Sequence, residues 1–105
     1  MERKIEDIIL DEINEVLQHY LMHAELESMT GETQVNYRYI ALVDKDQYAD
    51  PENVIDCAMD SIRLNIDESC EKVADRFEFL EFEIGAASSP EGTEIQINIG
   101  GKIIK

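Results

Sequence analysis

The fold is decided by a stretch that runs from Asp50 to Phe77, DPENVIDCAMDSIRLNIDESCEKVADRF. Apolar residues recur in it at steps of three and four, the spacing of one face of an amphipathic helix. This apolar stripe comprises Ile55, Met59, Ile62, Ile66, Cys70, Val73 and Phe77. Asp50 suits the N-cap, and Pro51 suits the first helical position, where its missing N–H is not needed. We therefore expect one helix over residues 50–77, with this stripe in the core.

The opposite side of the expected helix is acidic. Residues again spaced by three and four are Glu52, Asp56, Asp60, Arg63, Asp67, Glu71 and Asp75. Like charges four residues apart destabilise a helix by about 0.2–0.5 kcal/mol per pair. A stripe that carries this cost is a candidate binding surface. We expect the partner-binding residues to be Glu52, Asp56, Asp60, Asp67, Glu71 and Asp75; the alternative is a solvated face that an acidic chain simply tolerates.

The rest of the chain predicts an α+β fold in the order α-β-α-β-β. Helical periodicity covers residues 3–28, and alternation of apolar and polar residues predicts strands over 34–44, 78–86 and 93–99. A long helix between the first two strands suits a parallel crossover, and a turn over 88–92 suits an antiparallel hairpin. Gly100-Gly101 suggests a bulge or bend. We expect a single acidic domain over 1–105, with two helices packed on one face of a three-stranded mixed sheet.

The charge is concentrated on helices and restricts the partners. The chain has 24 acids and 9 bases, a formal net charge of −15. This excess excludes nucleic acid and anionic membranes as direct partners and favours a basic protein partner; the alternative is a salt-rich environment, where acidic surfaces are common. If both helices lie on one side of the sheet, their outer faces would form one acidic wall.

The open face of the sheet is a second candidate surface, either a homodimer interface or a half-solvated face. The residues expected to line it are Arg38, Ile40, Leu42, Phe79, Glu81, Glu83, Gln96 and Asn98.

The composition predicts a cytoplasmic protein. No apolar run approaches the roughly 20 residues that a membrane helix needs, and the first residues carry charges of both signs, unlike a signal peptide. Cys57 and Cys70 would lie about 20 Å apart on one helix, too far for a disulfide. Two free thiols are typical of a reducing compartment.

No motif predicts catalysis, a cofactor or a metal site. His19 and His23 have the i, i+4 spacing of a helical metal clamp, but no third ligand is near them in sequence. Asp44, Asp46 and Asp50 fail the calcium-loop pattern, since Tyr48 and Ala49 occupy positions that require Asp or Asn and Gly. We therefore expect no enzyme, no cofactor and no metal.

In charge and size the chain is similar to small acidic inhibitors as a class, which include bacteriophage DNA mimics and toxin-immunity proteins. This similarity is one of type and assigns no residue. The preferred hypothesis is a non-enzymatic inhibitor that fills the basic groove of a nucleic-acid-binding protein. The alternative is a structural or assembly subunit that oligomerises through its sheet face.

Overall fold

The computed structural model describes residues 4–71, 73–90 and 92–104, with the backbone alone at residues 67, 69, 70 and 89. Two α-helices and four strands follow one another in the order α1-β1-β2-α2-β3-β4, and the expected α+β class is confirmed. The helices are α1, Ile5–Leu17, and α2, Pro51–Glu71. The strands are β1, Ala24–Thr30, β2, Gln34–Val43, β3, Phe77–Ser89, and β4, Gly92–Ile103.

The strands form one sheet in the order β1-β2-β4-β3, and every neighbouring pair is antiparallel. The expectation of a three-stranded mixed sheet is therefore wrong. The connection through α2 does join two strands that run in the same direction, β2 and β3. However, β4 inserts between them and pairs with both, so no parallel pair forms.

The strand that the sequence did not predict is β1, which overlaps the end of the helix expected over 3–28. The α-helix ends at Leu17, and a 3-10 turn over Gln18–Tyr20 leads to Leu21, whose φ of 60° is left-handed. The carboxamide of Asn14 then holds the first residue of β1: its nitrogen donates to the Ala24 carbonyl (3.1 Å), and its oxygen accepts from the Ala24 N–H (2.7 Å). These contacts end the helix and start the sheet.

The turn between β1 and β2 requires glycine at Gly31. Its φ is 89°, and a Cβ placed there would lie 1.8 Å from the carbonyl oxygen of Gln34. No side chain fits that position, so this glycine fixes the tight hairpin.

The expected start of α2 is confirmed, whereas its expected end is wrong. The Asp50 carboxylate accepts a hydrogen bond from the Asn53 N–H (3.3 Å), and Pro51 is the first helical residue. The helix ends at Glu71 rather than Phe77. Between Ala74 and Arg76 the chain forms a 3-10 turn, since it must change direction to enter β3.

The core lies between the two helices and one face of the sheet. Alternate residues of β2 and β4 are buried, and Ile95 and Ile97 of β4 are fully buried. Leu80 and Phe82 of β3 are half-buried and pack against the core. From α2, the apolar stripe contributes Ile55, Ile62 and Ile66 as buried residues, with Met59 half-buried, while the Cys70 side chain lies outside the described residues.

The two glycines near the end of β4 do not bend it as expected. The strand continues through Gly100 and Gly101, and the irregularity lies opposite, in β3 between Phe77 and Phe79. A Cβ at Gly101 would come within 2.9 Å of the Phe77 ring and 2.7 Å of Leu80. This glycine therefore lets the two apolar side chains of β3 close over β4.

Candidate functional site

Four of the six predicted binding residues are exposed carboxylates along one flank of α2. We call Glu52, Asp56, Asp60 and Glu71 the α2 stripe. Glu52 and Asp56 line a shallow cleft of about 290 Å³ together with Ala86, Ala87 and Ser88 of β3. The stripe therefore lies on the flank of the helix that faces the β3 edge of the sheet.

The other two predicted residues do not extend this row in the structure. Asp75 is exposed but lies in the 3-10 turn beyond the end of α2, so it does not share the helical spacing. Asp67 is a residue of α2, and its side chain lies outside the described part of the chain.

Arg63 is the one basic residue in the sequence of α2, and it is bound within the stripe. Its guanidinium lies 2.9 Å from the Asp60 carboxylate, and both side chains are largely exposed. An exposed pair of this kind contributes only about 0.2–1 kcal/mol, because water screens it. Among the described residues, Glu52, Asp56 and Glu71 form no ion pair. Most of the charge of the stripe is thus not neutralised by an ion pair, although Lys45 borders the same cleft as Glu52 and Asp56.

The acids of the two helices do not form one wall. Glu12 and Glu15 of α1 line a separate groove of about 350 Å³, whose other side is formed by Ser61 and Asn65 of α2. Because α2 turns every 3.6 residues, the side of the helix that carries Ser61 and Asn65 faces away from the stripe. The expected acidic wall is therefore divided into two bands, one between the helices and one along β3.

The junction between the helices is closed by tyrosines. The Tyr20 hydroxyl lies 2.7 Å from the Ser61 hydroxyl, and the Tyr48 hydroxyl donates to the Tyr20 carbonyl. Partial burial raises the pKa of Tyr48, and the nearby Asp44 carboxylate adds to the effect. These contacts connect the 3-10 turn after α1, the loop before α2 and α2 itself, so they hold the groove in shape.

The open face of the sheet carries the residues that the sequence placed there. The strand register sets Arg38 of β2 beside Asn98 of β4, with Glu83 of β3 on the far side. The Arg38 guanidinium lies 3.4 Å from the Glu27 carboxylate of β1. Three apolar side chains also reach this face: Ile40 is half-buried, while Leu42 and Phe79 are 47% and 46% exposed.

Sequence reasoning missed the residues that β1 adds to this face. His23, Glu25 and Glu27 line a cleft with the apolar residues Leu26, Ile40 and Leu42. Because residues 24–28 were expected to be helical, nothing in the sequence placed them beside β2.

The residues whose spacing resembles a metal site have other positions or roles in the structure. His19 lies in the 3-10 turn after α1, and His23 follows the left-handed Leu21, so they do not share a helix face. Asp44 instead caps the short 3-10 turn Lys45–Gln47, its carboxylate accepting from the Asp46 N–H (3.0 Å). Across the described parts of the chain, no three or more His, Cys, Asp or Glu residues are grouped to hold a metal ion.

Among the described residues, no helix combines the length and apolarity needed to cross a membrane.

No protein-family model, curated protein or solved structure matches the chain.

Proposed function

We propose that the protein is a non-enzymatic acidic inhibitor that uses the α2 stripe to occupy the basic groove of a nucleic-acid-binding protein. The observation that carries the proposal is the exposure of four carboxylates on one rigid helix flank, with a single arginine among them. The helix fixes the backbone positions of these residues, so binding has to order only their side chains.

The spacing of the stripe suits a groove that normally holds a phosphate backbone. Acids four residues apart, such as Glu52, Asp56 and Asp60, lie about 6 Å apart along the helix axis. One DNA strand carries a charge every ~3.4 Å of its axis, so these three acids match roughly every second phosphate. Glu71 lies roughly 16 Å beyond Asp60 along the axis, so the four carboxylates are spread over the length of about eight phosphates. This supports a DNA mimic, of the kind found among bacteriophage counter-defence and immunity proteins.

The proposal includes a basic protein partner, with neither nucleic acid nor membrane bound directly, because a net charge of −15 repels both. It also includes a cytoplasmic location, which the exposed free thiol of Cys57 supports.

The alternative function, an assembly subunit that oligomerises through its sheet face, is less favoured. The open sheet face carries five described acids against two bases, so packing two copies through it would place carboxylates together. These residues are Glu25, Glu27, Glu81, Glu83 and Glu94 against Arg38 and Lys102.

Two variants of equal net charge test whether binding depends on the position of the stripe charges or on the total negative charge of the protein. The stripe variant carries Glu52→Gln, Asp56→Asn and Glu71→Gln and keeps the Asp60–Arg63 pair. The control variant carries three neutralising changes at exposed acids outside α2, Glu15→Gln, Glu32→Gln and Glu81→Gln. Both lose three negative charges, so a difference between them reports position rather than total charge.

The experiment is competitive elution from DNA–cellulose loaded with proteins from the host cell. We expect the parent and the control variant to elute a discrete basic protein at constant ionic strength, and the stripe variant to elute much less of it. Equal elution by both variants would remove the α2 stripe from the binding surface. No elution by any of the three would reject a competitor of DNA altogether.

A further inference from the structure

We infer that the cleft formed by β1 and β2 on the open sheet face is a docking site for a basic amphipathic helix of a partner protein. This cleft does not include any residue of the α2 stripe. The inference therefore does not depend on the function proposed above, and each can fail alone.

The cleft has an apolar floor and a charged rim. Its volume is about 460 Å³, and Ile40 and Leu42 form its apolar floor. Leu26 also borders the cleft, but it lies opposite Tyr39 in the register and packs against the core on the other side of the sheet. The rim is formed by His23, Glu25 and Glu27. Leu42 is 47% exposed although it lies on β2, an inner strand of the sheet. An exposed apolar cluster with a polar rim is typical of a protein-binding site.

The spacing of the apolar pair suits a helix. Ile40 and Leu42 point to the same face of β2 and lie about 7 Å apart along the strand. Apolar residues at i and i+4 of a helix lie about 6 Å apart along its axis. A helix whose axis follows β2 can thus place two successive apolar side chains over this pair, the arrangement of helix-in-groove recognition.

The charges around the pair specify a basic ligand. Glu25 of β1 lies directly opposite Ile40, and Glu94 of β4 lies directly opposite Leu42. Neighbouring strands are about 4.8 Å apart, so a carboxylate stands on each side of the apolar pair. The nearby Arg38 is engaged with Glu27 at 3.4 Å. A matching helix therefore carries Lys or Arg on both sides of its apolar stripe.

A second copy of this chain fits the cleft poorly. Face-to-face packing would bring Glu25 and Glu94 of one copy close to carboxylates of the other, and like charges placed together oppose association. The same carboxylates attract the Lys and Arg side chains of a basic helix. We therefore infer a basic partner for this cleft.

The test uses two synthetic peptides of 18 residues as probes. The first is helical, with leucines at i and i+4 flanked by lysines; the second has the same lysines, with glutamine in place of leucine. Chemical-shift changes of the ¹⁵N-labelled protein locate the bound peptide. The protein variants are Leu42→Gln and a matched control, Leu64→Gln, because Leu64 is also exposed (78%) but lies on α2.

We expect the leucine–lysine peptide to shift the amides of Ile40, Leu42 and Glu25, and to bind more tightly than the glutamine–lysine peptide. Leu42→Gln should weaken it by about five- to ten-fold, as loss of a central apolar contact does, while Leu64→Gln should have no effect. The stripe variant should retain these shifts.

Three results would overturn the inference. The first is equal binding of the two peptides, which would show a general attraction of positive charge. The second is a set of shifts confined to α2, which would support the stripe and reject the cleft. The third is concentration-dependent dimerisation in sedimentation experiments that Leu42→Gln abolishes, which would assign the cleft to a second copy.

Discussion

At the scale of single residues, Asn14 decides where the first helix gives way to the sheet. Both hydrogen-bonding groups of its carboxamide are used by the backbone of Ala24, ten residues further along the chain. The intervening Leu21 adopts a left-handed conformation that leucine rarely occupies. The side-chain contact compensates for this backbone conformation and fixes β1 against α1.

We predict that Asn14→Ala lowers the free energy of unfolding by about 1–3 kcal/mol, because the Ala24 N–H and carbonyl lose their partner in a part-buried site. Urea denaturation measures the change. Gln18→Ala is the control, an exposed position close by where a change of less than about 0.5 kcal/mol is expected. If the two variants are equally stable, Asn14 does not hold β1.

Tyr37 links the stability of the core to high pH. Its side chain is 2% exposed, and burial raises its pKa above 10.0, with the Glu6 carboxylate adding to the effect. The unfolded chain therefore releases this proton more readily than the folded protein does. The resulting stability is fully present below pH 10 and decreases as the pH rises through the higher folded pKa.

The expected result is a shallower loss of stability in Tyr37→Phe than in the parent between about pH 8 and about pH 11, because phenylalanine does not titrate. Urea denaturation at several pH values measures both slopes. Tyr48 stays in the variant, and its raised pKa leaves part of the decline in place. Identical slopes would show that Tyr37 does not contribute.

At the scale of elements, strands with strict alternation could be predicted and β1 could not. Ile95, Ile97 and Ile99 alternate with polar residues, and they identified β4 before its partners were known. The β1 sequence AELESMT consists mostly of good helix formers and continues the periodicity of α1. Its strand conformation comes from pairing with β2 and from the Asn14 contact, which are tertiary interactions that local propensity does not contain.

The α2 helix carries a stability cost that the stripe variant should relieve. Glu52 and Asp56, and likewise Asp56 and Asp60, are like-charged pairs at i and i+4. Removing both repulsions should raise the free energy of unfolding by roughly 0.4–1 kcal/mol. At the helix ends, the favourable charge of Glu52 and the unfavourable charge of Glu71 are lost together, so their dipole effects offset. A stripe variant that is less stable than the parent in urea would show that these acids stabilise the fold.

At the scale of the whole molecule, the acids occupy distinct surfaces on both sides of the sheet. The helical period of 3.6 was enough to predict that the stripe residues of α2 face solvent. It could not predict which flank they take, since that depends on where α2 lies relative to β3 and α1. Nor could it show that Asp75 leaves the helix, because the apolar spacing continues through Val73 and Phe77 after the helix has ended.

The division of charge gives the proposed binding surface a clear position, along α2 and beside the β3 edge. An interface made of such charges should associate rapidly at low salt. The rate should fall as screening increases, because the Debye length shortens from about 10 Å at 0.1 M salt to about 3 Å at 1 M. The rate constant for association therefore reports directly on whether the stripe guides the encounter.

The most direct test is the association rate constant with the purified basic protein from the DNA–cellulose eluate, measured by stopped flow at increasing salt. The account predicts that the parent and the control variant associate fast at low salt and slow down steeply as salt is added. The stripe variant should associate more slowly at low salt and depend on salt less. Equal rates and equal salt dependence for the stripe and control variants would contradict the account, because only total charge would then matter.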